Sequence, residues 1–268
     1  MHQSKDQVSA LQRLRGYMDH HGLGACVVSD PIHVAYLAGP WLPSNRFSCL
    51  LVTPTDAVLL LPATAGAGAS EGVQVETYED QSFDRQVDPA ASALQALADL
   101  LAGHAGRPQR LGLELAHLPA AFLDPVRQVL GATDAVDVGP QLRRMRMVKG
   151  EAEIGAIARA AATCDRVFSA VERTVRGGCT ELDVYLAALR VVAGESAGPA
   201  ILDGDFISGP RTAGMGGPPT PRALRPGELL IVDVYPRIGG YCADCTRSYV
   251  LGEPSRAQLE LHALLVEA

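Results

Sequence analysis

The sequence lacks the features that mark several large classes of protein. None of its 268 residues belong to an apolar run of 18 or more, so no transmembrane helix is predicted. The N-terminal segment MHQSKDQVSALQRLRGYMDHH has no apolar core of the kind that a secretory signal peptide carries. An excess of basic residues is also missing: the formal net charge is -7, which argues against a nucleic-acid partner. We therefore expect a cytoplasmic enzyme or binding protein with no membrane segment.

Several short catalytic motifs are missing as well. The sequence has no G-x-S-x-G, H-E-x-x-H or phosphate-binding loop, and no glycine-rich dinucleotide motif follows a predicted strand. Its six cysteines are scattered, which favours reduced thiols over a disulfide framework. The segment CADC (242–245) resembles half of a zinc site, but no second such pair exists. Because Cys242 and Cys245 are three apart in a predicted strand, they point to opposite faces, and we expect structural thiols.

What the sequence does contain is typical of a globular α/β protein, with 47% hydrophobic and 20% charged residues. In the first half, apolar periodicity predicts helices and strands in mixed order. We predict helices over 6–21, 89–103 and 119–130, and strands over 25–29, 48–53, 57–62, 73–78 and 110–114. The predicted strand over 73–78 alternates between apolar and polar residues, as a half-buried strand does. His33, in DPIHVAYLAG, is expected in a loop.

The second half begins after a predicted boundary near residues 138–141. The segment 137–150 carries a basic cluster and is predicted to be a solvated linker that leads into a helix. A long amphipathic helix over 151–176 follows, and Thr180 and Asp183 form a predicted capping box for the next helix. A loop rich in Gly and Pro (208–228) precedes a predicted hairpin over 229–251. The helical pattern after Pro254 still runs at Ala268, so we expect a domain that is cut short.

Two acids stand out in the hairpin, DVYPRIGGYCADCTRS. If the hairpin is centred between Ile238 and Gly239, Asp233 and Asp244 lie directly opposite each other, with Cβ atoms ~5 Å apart. Like charges so placed are destabilising, so either one carboxyl group is protonated or a divalent cation lies between the two. A three-residue loop would instead place Asp233 opposite Cys245. In the alternative without a cation, one Asp caps the turn and the other pairs with Arg237 or Arg247.

Three segments, in order, resemble the creatinase/prolidase/aminopeptidase P family of pita-bread metallopeptidases. SDPIHVAYLAGPWLPSNRFSCLLVTP resembles the N-terminal domain of that family, and LRRMRMVKGEAEIGAIARAA resembles the entry to its catalytic domain. LRPGELLIVDVYPRIGGYCADCTRSYVLGEPSRAQ resembles its first metal-ligand segment, of the form D-x-G followed by G-Y-x-x-D-x-T-R. The resemblance runs from about residue 8 to 268. It implies an α/β creatinase-like domain over 1–138, then the first part of a pita-bread catalytic domain over 141–268.

The resemblance also implies a site. Asp233 and Asp244 match carboxylate ligands of two divalent metal ions (Mn, Co or Zn), and Asp244 matches the ligand that bridges both. The loop that starts at Ser208 is expected to border the substrate, with Gly216 and Arg211 as substrate-binding residues. The family usually has a His at the position of Gly216, and its remaining His and two Glu ligands would follow Ala268. The sequence therefore identifies no catalytic residue, and we expect this chain alone to be inactive.

The resulting hypothesis is a metal-dependent hydrolase that cleaves Xaa-Pro peptide bonds, with a peptide substrate and a homodimeric state. One alternative keeps the fold but assigns a creatinase-like C–N hydrolase of a small molecule. A second alternative is a non-catalytic module that uses the fold to bind peptides or proteins. Half of a pseudo-symmetric sheet would leave an apolar face exposed, so we expect the chain to dimerise or aggregate.

Overall fold

A computed structural model describes residues 3–39, 46–66, 68–104, 109–131, 134–196 and 200–267. The chain divides into two compact units, Met1–Ala152 and Glu153–Ala268. Within the described ranges, no helix is both long enough and apolar enough to cross a bilayer. Residues 40–45, part of the first segment that resembles the family, lie outside the description.

The first unit is an α/β domain built on a six-stranded sheet of order β4-β3-β2-β1-β5-β6. Strand β2 is antiparallel to both β1 and β3, whereas the pairs β1–β5, β5–β6 and β3–β4 are parallel. The strands are β1 (Ala25–Val28), β2 (Cys49–Val52), β3 (Ala57–Pro62), β4 (Gln74–Tyr78), β5 (Arg110–Leu113) and β6 (Asp134–Asp137). The helices are α1 (Gln3–His21), α2 (Pro31–Ala38), α3 (Pro89–His104), α4 (Ala120–Leu130) and α5 (Gly139–Met147). A short 3-10 helix, Ala63–Ala65, follows β3.

Both faces of this sheet are buried, which explains the continuous apolar runs in its central strands. Along β1, Cys26 and Val28 belong to one hydrophobic cluster, whereas Ala25 and Val27 belong to another. The predicted half-burial of residues 73–78 is wrong, because β4 is an edge strand in which Tyr78 is the one buried residue.

Two segments that the sequence analysis assigned to loop or linker are helices. Pro31–Ala38 forms α2, where Asp30 is the N-cap and accepts a hydrogen bond from the Ile32 N–H, and Pro31 opens the first turn. His33 is therefore 1% exposed on a helix and is not a loop residue. The segment predicted as a solvated linker contains α5, whose Leu142 and Met145 are buried in the first unit. Neither helix shows a clear apolar stripe in the sequence, because Pro31–Ala38 is apolar on nearly all sides and Gly139–Met147 is rich in Arg.

The second unit contains a four-stranded sheet in which β8 is central, with β10 and β7 on either side and the short β9 also paired to β8. The strands are β7 (Leu202–Ser208), β8 (Leu229–Ile238), β9 (Tyr241–Cys242) and β10 (Cys245–Val250). The helices are α6 (Glu151–Thr174, which starts just before the unit boundary), α7 (Glu181–Glu195) and α8 (Arg256–Glu267), and a 3-10 helix covers Gly209–Ala213. The predicted capping box at Thr180 and Asp183 is present.

Strand β8 separates a core face from an open face. Val232 and Val234 are fully buried with residues of α6 and α7, whereas Asp233 and Tyr235, which alternate with them, are only half-buried. Asp233 therefore projects from the face of the sheet that the helices of this unit leave uncovered.

Candidate metal centre

The hairpin register differs from the prediction. Thr246, not Asp244, pairs with Asp233, and Ile238 pairs with Tyr241. The reason is a two-residue turn at Gly239-Gly240, where both residues have positive φ (58° and 84°), as a type I′ turn requires. This turn moves the centre of the hairpin one residue toward the C-terminus. A shift of that kind moves each cross-strand partner by two positions and keeps every side chain on its predicted face.

Asp244 lies between β9 and β10, outside the paired strands. Continuing the register would pair Pro236 with Ala243 and Tyr235 with Asp244, but these pairs are missing from this fully described hairpin. Pro236 has no N–H to donate to a ladder, which agrees with the interruption. Asp244 is consequently exposed and diagonal to Asp233 rather than opposite it.

The carboxylate of Asp233 is held by two hydroxyl groups. The Thr246 hydroxyl donates to Asp233 Oδ1 at 2.6 Å, and the Tyr235 hydroxyl donates to Asp233 Oδ2. Tyr235 stands at the Gly of the D-x-G pattern, so this second contact is a departure of the chain from that pattern. Each carboxylate oxygen has a further lone pair, so the two hydrogen bonds orient Asp233 without exhausting its capacity to bind a cation.

Negative charge converges around Tyr235. The hydrogen bond to Asp233 is the main cause that raises the pKa of Tyr235 to about 12, followed by burial and by the charges of Asp233, Asp205 and Asp244. Asp205, which the sequence analysis did not single out, pairs directly with Asp233 across β7 and β8. It was missed because Leu202–Ser208, with Gly204 and two Asp, shows no strand periodicity.

The loop that follows β7 is anchored to a buried carboxylate, Glu181, at the first turn of α7. Glu181 is 0% exposed. Its Oε1 accepts the N–H and the hydroxyl of Ser208, both at 2.7 Å, and its Oε2 accepts the hydroxyl of Thr220 at 2.6 Å. Arg211 Nη1 also donates to Oε2. Glu181 thus joins the start of the loop and Thr220, in its second half, to the helix, a role that the capping box alone did not reveal.

A second ionic pair closes the same loop. Arg222 donates to Ser208 Oγ at 2.7 Å and to Glu228 Oε1 at 2.6 Å. The hydrogen bond from Arg222 is the main cause that lowers the pKa of Glu228. The loop is therefore a fixed feature beside the acids of the sheet.

The two predicted substrate residues occupy different positions in this loop. Arg211 is engaged with Glu181 and also donates to the Pro218 carbonyl at 2.9 Å, so its contacts are those of a loop anchor. Gly216 is exposed and has a φ of 113°, and a Cβ placed there would lie 2.4 Å from Asp205 Oδ2. A larger side chain at 216 would therefore require the Asp205 carboxylate to move, and a φ of 113° is strained for residues other than glycine.

A different group of potential ligands lies in the first unit. Among the described residues, Asp30, His33 and Glu114 form one buried group in which an atom of each lies within 4.8 Å of the others. Asp205, Asp233 and Asp244, the three acids of the open sheet face, do not form such a tight group. Glu114 Oε2 accepts the N–H groups of Ser29 and Asp30 at 2.9 and 2.7 Å, and Asp30 Oδ2 lies 3.1 Å from His117 Nε2.

Contacts with Glu114 and Arg146 account for both nitrogens of His33. Nδ1 contacts Glu114 Oε1, which can only accept when ionised, and Nε2 lies 3.3 Å from Arg146 Nη1, which can only donate. A neutral imidazole with its proton on Nδ1 satisfies both contacts. The lone pair of Nε2 is then used by Arg146, so we interpret this group as a structural hydrogen-bond network and not as a metal site.

The cysteines add no metal ligand to the open sheet face or to the group of Asp30, His33 and Glu114. All six are free thiols. Cys242 is exposed, whereas Cys245 packs against the core of the second unit, so the two sulfurs of CADC lie in different environments. Burial is the main cause that raises the pKa of Cys164, beside Cys245, to about 12, so this thiol stays protonated.

The donor atoms on the open face fit a hard or borderline divalent cation. Asp233 and Asp244 supply carboxylate oxygens, and the hydroxyls of Thr246 and Tyr235 hydrogen-bond the first of them, as outer groups commonly do at metal sites. The two Asp could hold part of a coordination sphere. The structure brings them to one face but not into direct opposition.

Comparison with known proteins gives the chain a family. The model of the Creatinase/Prolidase N-terminal domain matches residues 11–148, and that of Metallopeptidase family M24 matches residues 155–268. The Xaa-Pro dipeptidase of Pyrococcus horikoshii is 23% identical over 260 residues, covering 96% of this chain and 68% of that protein. The probable dipeptidase PepE of Mycobacterium tuberculosis is 36% identical over 156 residues, covering 56% of this chain and 40% of that protein.

The fold comparison agrees. The crystal structure of the X-Pro aminopeptidase from Thermotoga maritima has a TM-score of 0.80 at 22% identity, covering 96% of this chain and 69% of that one. This likeness confirms the predicted architecture, a creatinase-like α/β domain followed by part of a pita-bread domain. Since the first family model matches more than half of the chain and the second matches most of the remainder, the chain belongs to the creatinase/prolidase family of M24 metallopeptidases.

Proposed function

We propose that this protein is a metal-dependent peptide hydrolase that cleaves Xaa-Pro bonds, in which Asp233 and Asp244 bind divalent metal ions. The observation that carries the proposal is the carboxylate of Asp233 on the open sheet face, oriented by Thr246 and Tyr235. The dipeptidase and aminopeptidase names of its relatives support the choice of substrate. The alternatives of a C–N hydrolase and of a binding module are less favoured, because neither accounts for this oriented acid.

Two bound ions such as Mn²⁺, Co²⁺ or Zn²⁺ would supply an activated water and polarise the scissile carbonyl. The residues of the chain perform the other tasks. Thr246 and Tyr235 hold Asp233 in a fixed rotamer, which lowers the entropy lost on metal binding. Glu181 and Arg211 fix the loop that contains Gly216, and that loop forms the border of the substrate site.

The test uses the protein expressed from its complete reading frame. Release of the N-terminal residue from Xaa-Pro dipeptides is measured with Mn²⁺, Co²⁺ or Zn²⁺, for the unsubstituted protein and for Asp233→Asn and Asp244→Asn. We expect each variant to lose activity by ~100-fold or more, since outer groups alone change metal sites 10–100-fold. Asp203→Asn, an exposed acid on β7, is the matched control and keeps its activity.

Two results would refute the proposal. Hydrolysis that persists after exhaustive chelation would favour the metal-independent C–N hydrolase. Tight binding of peptides without cleavage, under all three metals, would favour the binding module.

A second copy of the chain is the proposed partner. Helix α8 has no buried residue, and its large aliphatic side chains are 53% to 72% exposed, namely Leu259, Leu261, Leu264, Leu265 and Val266. Exposed apolar surface of this kind favours self-association.

Light scattering over a range of concentrations should show a mass above that of one chain, and the double variant Leu261→Glu/Leu265→Glu should shift that mass toward the mass of one chain. A single-chain mass at every concentration would exclude the homodimer.

A further inference from the structure

The acid that lies directly opposite Asp233 is Asp205. Strand β7 pairs with β8 so that Asp205 and Asp233 are direct cross-strand partners. Directly opposed residues on neighbouring antiparallel strands have Cβ atoms about 4.5–5.5 Å apart, with both side chains on the same face. Opposed like charges are destabilising, so this pair favours a cation.

The contacts of Asp205 leave one of its oxygens available. Asp205 Oδ1 accepts the Gly217 N–H at 2.8 Å, and the Phe206 N–H donates to the Gly217 carbonyl at 3.1 Å. These two bonds fix the loop backbone against β7. Among the described residues, nothing donates a hydrogen bond to Asp205 Oδ2.

The backbone of the loop is shaped around this carboxylate. A Cβ at position 216 would lie 2.4 Å from Asp205 Oδ2 and 2.9 Å from Oδ1. Because Gly216 has no Cβ, the Asp205 carboxylate can lie directly against the loop backbone. A side chain at 216 would therefore have to displace the Asp205 carboxylate from this position. The acid occupies the volume that a side chain from the loop would otherwise fill.

We propose that Asp205 is a third carboxylate ligand of the divalent cation bound by Asp233 and Asp244. Cation–oxygen distances of about 2.0–2.6 Å let one ion bridge the carboxylates of an opposed pair. Asp205 then has two functions: its Oδ1 holds the Gly216–Gly217 backbone, and its Oδ2 binds the ion. The inference rests on the proposed metal site at Asp233.

The experiment measures Mn²⁺ binding to the full chain by calorimetry, with the bound ion counted by electron paramagnetic resonance. Asp205→Asn keeps an oxygen that can accept the Gly217 N–H but removes the charge. We expect its Kd for Mn²⁺ to rise on the order of tenfold, because affinity at such sites follows the number of charged ligands. Asp203→Asn removes the same charge from the same strand at an exposed position and should change the Kd less than about twofold.

A second readout separates a ligand from a structural residue. Without metal, Asp205→Asn should raise the thermal midpoint, because the repulsion with Asp233 is relieved. With saturating Mn²⁺ the unsubstituted protein should have the higher thermal midpoint, because it binds the ion more tightly and is therefore stabilised more. A residue that only anchors the loop would show no reversal.

Asp233→Asn distinguishes failure of this inference from failure of the proposed function. If Asp233→Asn abolishes binding while Asp205→Asn binds as the unsubstituted protein does, Asp205 is not a ligand and the metal site of the proposed function stands. If Asp233→Asn leaves binding unchanged, the proposed metal site is wrong, and the inference fails with it. Absence of Mn²⁺ binding by the unsubstituted chain would overturn both.

Discussion

Glu181 is the residue on which the loop beside the candidate metal centre depends most. Its buried carboxylate accepts hydrogen bonds from Ser208 and Arg211, at the start of that loop, and from Thr220, in its second half. Replacing Glu181 with Ala leaves Arg211 and the buried Ser208 groups without their acceptor. We expect a loss of about 3–5 kcal/mol in the free energy of unfolding, the usual cost of breaking a buried ionic contact.

Chemical denaturation with urea measures this loss. The matched control is Glu195→Ala in the same helix, where the ion pair with Arg166 is partly exposed on both sides. That variant should lose about 1 kcal/mol or less. Equal losses for the two variants would show that Glu181 is no more than an ordinary surface anchor.

Glu114 makes the stability of the first unit depend on pH. Burial alone would raise the pKa of Glu114, but the hydrogen bond from His33 and those from two backbone N–H groups outweigh it, and the net pKa is lowered from 4.5. A carboxyl group whose pKa is lower in the folded than in the unfolded state stabilises the protein fully above its unfolded pKa. This stabilisation is lost as the pH falls through the folded pKa.

We therefore expect Glu114→Gln to be less stable than the unsubstituted protein at neutral pH by about 2 kcal/mol, the range for hydrogen bonds to a charged group. The difference should shrink as the pH falls below about 4.5, because protonation removes the same charge. Thermal unfolding followed from neutral pH to pH 3 measures both effects. Glu79→Gln, whose partner Arg85 is exposed, serves as the control. If the stability difference between Glu114→Gln and the unsubstituted protein stays constant from neutral pH to pH 3, the ionised Glu114 carboxylate is not the source of the pH dependence.

At the level of elements, the turn of the β8–β9 hairpin decides which residue faces Asp233. Gly239 and Gly240 both have positive φ, and the pairing of Thr246 with Asp233 follows from this two-residue turn. Asn is well tolerated at the first position of a type I′ turn, whereas a β-branched residue at the second is strained. Gly240→Val should cost about 1–2 kcal/mol, and Gly239→Asn should change stability by less than about 0.5 kcal/mol.

Unfolding free energies of the two variants, together with interstrand contacts between residues 233 and 246 observed by nuclear magnetic resonance, check this expectation. If Gly240→Val is as stable as Gly239→Asn and keeps the contact, the turn does not control the register.

The hairpin also shows how far sequence reasoning reaches. Alternation along LLIVDV places Val232 and Val234 in the core and Asp233 on the other face, and this assignment needs only the period of a strand. Predicting which residue pairs with Asp233 requires, in addition, the type of turn that joins the two strands. Gly-Gly between two alternating runs is a signal for a two-residue turn, and applying it would have paired Asp233 with Thr246.

Other parts of the site had no local signal. Asp205 faces Asp233 because β7 pairs with β8, and a pairing between strands more than 20 residues apart leaves no trace in the spacing of either segment. The network of Asp30, His33 and Glu114 likewise joins residues that are distant in sequence. In contrast, Asp30-Pro31 is a local N-cap and first-turn pattern that predicts the start of α2.

At the level of the whole molecule, the chain has two compact units, each with a cluster of acids that could attract a cation. In Met1–Ala152 the acids are buried and hydrogen-bonded, and the nitrogens of His33 contact Glu114 and Arg146. In Glu153–Ala268 the acids project from an open sheet face with unused lone pairs. The number of acidic residues does not decide which cluster binds a cation. The oxygens of the first cluster are already used in hydrogen bonds, whereas those of the second keep unused lone pairs, and this difference favours a cation site in the second unit.

Hydrogen exchange of the full chain, followed by mass spectrometry with and without Mn²⁺, compares both units in one experiment. A ligand that binds only the folded state at 100 times its Kd stabilises that state by about 2.7 kcal/mol. We expect slower exchange in peptides from β7, β8 and β10 on addition of Mn²⁺, and unchanged exchange in peptides from α2 and β5. Mg²⁺ at equal ionic strength controls for general salt effects, since Mg²⁺ gives up its bound water reluctantly. Slower exchange confined to α2 and β5 would move the cation to the first unit and contradict the assignment of Asp233 as a ligand.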